Sequence, residues 1–407
     1  MKANNSFGSS SEELAEFLEL LPDAERRAVL MSIYAGLGDL THATCIDLEQ
    51  LMHLSLDCAW PEDGENERRQ KWAEKCFDLF KSACNDFIRS LVDNGHNTST
   101  YKPRSETSWE ITSDNRFGAT ARIDELGREV VEITENTLRF ILWAALKNAA
   151  VHEGSAEPKV NKWSGQRGSG DLLHAYDVPA DPEIRSFAFI SALIAFRFVF
   201  FHEMGHLAQG HCRHLQGRFS DYSLDMDSGC RDIGRQALEL MADIYAAREL
   251  TSLIKSRREE LQAVPQDDSL TFLAMLRSVH VDPQRLSVAI ASAMACLFYL
   301  INKGGFSHPN REIRFLTTLL ALKHYLGAEL GEGKRSWIRD LCSVVTNVGV
   351  AIESSVKDQA KFVYLSDPLK TEDDYPQVKA EIDELLAEFE RIRPRLEEYV
   401  TAEGAFV

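Results

Sequence analysis

Residues 186–201 carry a single charge, Arg197, and run without a break into His202-Glu203-Met204-Gly205-His206. A helix that is apolar on nearly every side must be buried. The segment therefore predicts a core helix ending in two histidines and a glutamate. Asp181-Pro182 offers an N-cap and a first helical residue, which sets the helix at about 182–210. Polar side chains at the buried end of such a helix need partners. His202 and His206 are four residues apart, so both imidazoles leave one face a turn apart and present two nitrogens to a metal ion. Glu203 then stands beside the open coordination position, where it can take a proton from water on the metal. This is the residue pattern of a zinc hydrolase, most often a peptidase.

An HExxH string arises by chance in about one chain in a hundred of this length, so its surroundings decide. Glu239-Leu240-Met241-Ala242-Asp243 begins 33 residues after His206 and sets two carboxylates one helical turn apart. Glu239 is the candidate third ligand. Asp243 is placed to accept a hydrogen bond from a ligand histidine, which fixes tautomer and ring orientation. Further on comes Ser307-His308-Pro309-Asn310-Arg311-Glu312-Ile313-Arg314.

The order HExxH, ExxAD, then Ser-His-Pro with an arginine six residues past the histidine resembles the M48-type gluzincin metallopeptidases. The resemblance covers about residues 184–320. It implies Zn2+ held by His202, His206 and Glu239, with Asp243 behind the ligands and His308 and Arg314 facing the substrate oxyanion. His211, nine residues after His202, resembles a histidine common in that family's motif helix. Two departures stand out. No Asn-Ala-Phe segment with a Pro-Gly turn precedes the motif, and the spacing from His206 to Glu239 is short compared with many members.

A formal net charge of −18 over 407 residues disfavours nucleic acid and anionic lipid as partners. The N-terminal residues lack the apolar core of a signal peptide. The eight cysteines show no CxxC pair, which suits reduced thiols in a cytoplasmic protein. The motif helix, interrupted by Arg197, and residues 286–301 fall short of the roughly 20 apolar residues of a membrane span. Both predict buried core helices and argue against membrane association.

Three regions follow. Residues 1–115 form an N-terminal helical region: Ser10 with Glu13 suits a capping box. A stripe from Trp72 through Phe77, Phe80 and Phe87 to Leu91 has helical spacing. Residues 94–116 are polar and predict a linker. Residues 116–330 form the zincin-like catalytic domain. Within it, β-branched residues flanking Gly127 predict a hairpin or a strand, with 130–133 in a small sheet where an edge strand could pair with an extended peptide. Residues 138–150 predict a helix, 153–171 a glycine-bearing loop that is either a candidate lid or a disordered connector, and 213–234 a loop joining the metal-binding helices. Residues 331–407 form a C-terminal helical region whose seam of Ile382, Leu385, Phe389, Ile392 and Leu396 predicts a helix docked on the body, broken by Pro394.

The expected fold is α+β and predominantly helical. The expected function is a zinc-dependent metalloendopeptidase acting on a peptide or protein substrate, with Glu203 as general base and His308 and Arg314 stabilising the oxyanion. A regulatory protein partner is compatible with the flanking helices. Two alternatives stand beside this reading. One is a metal-stabilised adaptor that hydrolyses nothing, although such a protein would have no need of Glu203. The other is a hydrolase of a non-peptide amide.

Overall fold

The computed structural model describes most residues of 74–91, and residues 108–113, 118–153, 179, 181–219, 232–263, 271–300, 309, 311–326 and 376–399. The capping box at Ser10, the candidate lid and His308 lie outside the described residues.

The sheet is small. Strands β1 (Ser108–Thr112), β2 (Ala119–Ile123) and β3 (Glu129–Thr134) are ordered β1-β3-β2, with β1 parallel and β2 antiparallel to β3. The hairpin predicted around Gly127 is β2–β3, and Gly127 takes a φ of 78° in its turn, a conformation glycine adopts without steric cost. Residues 130–133 do lie in a sheet, but β3 is its central strand, and the edges are β1 and β2. The β-branched residues that marked β3 as a strand are silent about its neighbours. The linker expected over 94–116 is corrected too, since 108–112 is β1. Trp109 and Ile111 of this strand pack against the core. They are too few in a polar stretch to register as a period-two pattern.

Eight further helices follow in the described residues. They are α1 (Glu135–Glu153), α2 (Pro182–Ala208), α3 (His211–Phe219), α4 (Ile233–Ala263), α5 (Thr271–Val281), α6 (Pro283–Leu300), α7 (Arg311–Leu326) and α8 (Pro376–Leu396). Helix α3 occupies the start of the loop expected over 213–234. Among the described residues the protein is predominantly helical with one small sheet, an α+β arrangement as expected.

Helix α2 is the axis of this arrangement. Asp181 caps it through a bond from the Glu183 backbone N–H to Oδ1 at 2.7 Å, with Pro182 at the first position. It packs against α1, α4, α5 and α6. Its length and apolar character would suit a membrane span, but most of that stretch is buried inside the protein. The helical residues of 74–91 supply an aromatic collar around it: Phe87 meets Phe196, Phe200 and Phe201 edge-on at centroid distances of 5.7–6.0 Å. Trp109 of β1 meets Phe200 at 5.2 Å. Such pairs add about 0.5–1.5 kcal/mol each beyond area burial. One core therefore crosses position 115, with Phe77, Phe80, Val131, Ile133 and Phe189 in a single cluster.

Helix α4 is buried on two faces. Tyr245, Ala246 and Leu250 join the main core beside α2. Ala237, Leu238, Leu240 and Met241 meet Leu385, Phe389, Ile392 and Leu396 of α8. The C-terminal helix is thus docked on the helix that carries the acidic motif, and it runs through Pro394 without ending there.

Candidate metal centre and active site

The two motif helices approach closely because Gly205 and Ala242 lie where they meet. A Cβ added at Gly205 would stand 3.2 Å from the Ala242 Cα and 3.2 Å from the Tyr245 ring. These small residues let α4 bring Glu239 up to the histidines of α2. Their signal in the sequence is only a glycine and an alanine, each the fourth residue of its motif.

The result is a compact group of ligand atoms. His202 Nε2 and His206 Nε2 are 3.1 Å apart, and Glu239 lies 3.3 Å from the first through Oε2 and 3.5 Å from the second through Oε1. Zinc bonds of about 2.0–2.1 Å in tetrahedral geometry put neighbouring ligand atoms about 3.3 Å apart. His202, His206 and Glu239 therefore have the spacing of three corners of a zinc site.

Each histidine is held from behind, and differently. His202 Nδ1 lies 2.8 Å from Asp243 Oδ1. Asp243, fully buried, also accepts two bonds of 2.7 Å from Nε and Nη2 of Arg314. His206 Nδ1 instead lies 3.0 Å from Nδ1 of His211.

Charge completes the fit. Burial opposes ionisation of Asp243, but the Arg314 guanidinium and His202 outweigh it and hold its carboxyl below the usual range. Burial likewise opposes ionisation of Glu239, yet His206, His202 and Arg314 hold it well below the usual range. The His202 imidazole, despite burial, is pushed up to about 10 by the bond to Asp243 and the nearby Glu239. Burial presses His206 down to about 4. With both ligand imidazoles neutral and Glu203 ionised, three carboxylates among the described residues face the Arg314 guanidinium. In that protonation state the described residues are two positive charges short, which a divalent cation would supply. Without metal, the proton on His202 takes part of its place. Buried charges persist only when so compensated.

Glu203 is buried and its carboxyl is pushed up to about 7, first by desolvation and further by Glu239, against the lowering charge of His202. The backbone N–H of Ala121 in β2 donates to it. Cys212 Sγ donates to the Ala121 carbonyl at 3.4 Å, and Arg213 Nη2 reaches Glu129 Oε1 at 3.3 Å. These contacts fasten β2 to α2 and α3, and β3 to α3. Nothing in the sequence pointed to Ala121 or Cys212.

The structure thus brings together His202, Glu203, His206, Glu239, Asp243 and Arg314. Arg314 is committed side-on to Asp243, with Nη1 3.7 Å from Glu239 Oε2. Pro309, buried, is the described residue next to His308.

No curated protein and no solved structure matches this chain. Residues 150–326 match the family model Peptidase U49, a span that holds every described residue of the centre except Ala121, and this match supports a peptidase.

Proposed function

We propose that the protein is a zinc-dependent endopeptidase whose metal is held by His202, His206 and Glu239. The observation that carries this reading is the convergence of three ligand atoms, from His202, His206 and Glu239, at zinc spacing. Retention of Glu203 beside those ligands favours catalysis over a purely structural metal site, which needs no general base.

Zinc bound there would supply Lewis acidity, lowering the pKa of a water and polarising the scissile carbonyl. The chain's own residues do the rest. Glu203, with a carboxyl at about 7, is suited both to accept a proton at its carboxylate and to return it to the leaving amine. Asp243 and Arg314 keep His202 oriented with Nε2 toward the ligand cluster. Strand β2 is a sheet edge beside Glu203; the Ala121 N–H and carbonyl are taken by Glu203 and Cys212, so an extended peptide backbone would be held by other groups of that edge. His308, next to buried Pro309, and Arg314 are the candidates to meet the oxyanion. The remaining Nη1 of Arg314 is the part of that side chain outside its pair of bonds to Asp243.

The test is cleavage of unfolded protein substrates by the full chain and by Glu203→Gln, each with and without a zinc chelator. The expected result is cleavage by the wild type that the chelator abolishes and zinc restores. Glu203→Gln should keep its metal and lose activity by about a hundredfold or more, the scale of losing a general base. Hydrolysis confined to small amides would favour the alternative substrate class. Metal bound with no hydrolysis would favour the adaptor.

A further inference from the structure

His202 and His206 are equivalent in the motif, yet among the described residues only His202 has a carboxylate behind it. The group behind His206 is His211, five residues on, and a continuous helix cannot put it there. Five residues advance about 500° around an α-helix, leaving the two side chains about 140° apart. The chain solves this by breaking. Helix α2 ends at Ala208, Gly210 takes a φ of 74°, and α3 starts at His211. The two rings then meet at a centroid distance of 5.2 Å with an interplanar angle of 67°. His211 is completely buried, and its Nε2 has no hydrogen-bond partner among the described residues. Its one partner there is the ring of His206, at 3.0 Å.

The turn that makes this possible is closed from the far end of the chain. A Cβ on Gly210 would lie 2.7 Å from the Tyr399 Cβ and 3.2 Å from the Leu396 carbonyl oxygen. Tyr399 is itself tied back by its N–H to Leu396 at 2.8 Å. The residues that end α8 therefore occupy the space beside the turn that delivers His211.

We propose that His211 is a positioning residue: its Nδ1 accepts the His206 Nδ1–H, which leaves His206 Nε2 bare toward the metal position, in a turn braced by Leu396 and Tyr399. This rests on the metal centre proposed above. Two imidazoles facing through their Nδ1 atoms share one proton. With the proton on His206, that residue is a ligand; with it on His211, Nε2 of His206 carries hydrogen toward His202 and cannot bind metal. His211 also provides an acceptor without adding charge. A carboxylate in its place would bring a fourth negative charge to a centre that a divalent cation and Arg314 already neutralise.

The test uses the full chain with Zn2+ as the probe. His211→Phe fills the volume without an acceptor, and His211→Asn restores one. Zinc affinity is measured by chelator competition, Co2+ substitution reports ligand geometry by visible absorption, and the thermal midpoint is taken metal-free. His211→Phe should lose about 10- to 100-fold in zinc affinity, as removal of such supporting partners does. Its Co2+ spectrum should change while the metal-free midpoint holds, and His211→Asn should recover most of the loss. Equal affinity and an equal spectrum in His211→Phe would overturn the proposal while leaving the metal centre intact. If His211→Phe does not fold, nitrogen NMR of the zinc-loaded wild type decides. A scalar coupling between the two Nδ1 nuclei supports the shared hydrogen bond, and its absence overturns it. A wild type that binds no zinc overturns the metal reading and takes this proposal with it.

Discussion

The two sides of the metal centre are built from different physics. Behind His202 stands an ionic relay, Asp243 with Arg314, buried and held by contacts of 2.7–2.8 Å. Behind His206 stands a neutral ring on a glycine turn, leaning on the C-terminal helix. The ionic side has large opposing energies and fails badly when one member is lost. The neutral side depends on backbone geometry and should fail gradually. A motif that gives its two histidines equal weight conceals this asymmetry.

The largest effect should come from the ionic side. Arg314→Met leaves Asp243 and Glu239 buried without their guanidinium, so the metal-free protein should lose about 3–5 kcal/mol of stability by denaturant titration. A loss below about 1 kcal/mol would mean that water or another cation reaches Asp243. On the neutral side, Gly210→Ala should destabilise by about 1–3 kcal/mol, through the left-handed backbone and the crowding against Tyr399. Its zinc affinity should fall with it. Stability lost without affinity would separate the turn from His206.

Acidity sharpens the contrast. In metal-free protein, Asp243 is held below its ordinary 3.8 and His202 is raised from 6.5 to about 10. The stabilisation from Asp243 is present above its unfolded pKa and is lost as pH falls through its lowered folded value. That from His202 is complete below about 6.5 and is lost as pH rises through about 10. Zinc must displace the His202 proton. Uptake between pH 7 and 9 should therefore release about one proton from that residue and strengthen about tenfold per pH unit. Calorimetry in buffers of different ionisation enthalpy reads the release directly. The smallest shift belongs to catalysis. Glu203 must be ionised to accept a proton, so kcat/KM should fall as pH drops through a limb at or below about 7, since a neighbouring cation lowers the carboxyl further. An acid limb unaltered in the residual activity of Glu203→Gln would assign it to another group.

Much of the site was legible because its chemistry is written at helical spacing. A spacing of four positions from His202 to His206, and again from Glu239 to Asp243, places side chains on one face whatever surrounds them. The apolar run before His202 announced a buried helix, and α2 is that helix. Less legible were features created by long-range contact. Strand β1 became a strand by pairing with β3 and seating Trp109 on Phe200, which a polar neighbourhood does not advertise. The central place of β3 depends on partners on both sides. Ala121 earned its position through backbone groups, and backbone groups have no side-chain signature. The pairing of Arg314 with Asp243 spans 71 residues and has no local pattern. Gly205 and Gly210 are ordinary glycines in sequence; only Ala242 and Tyr399 across from them explain why no larger residue fits.

The central claim is that this buried cluster is completed by a divalent metal on His202, His206 and Glu239. Its most direct test is elemental analysis, with zinc X-ray absorption, of the purified wild type and Glu239→Ala. The expected result is one zinc per wild-type chain, bound by two imidazole nitrogens and oxygen, and substoichiometric zinc in Glu239→Ala. A wild type that holds no metal and cannot be loaded, or equal zinc in both proteins, would contradict it.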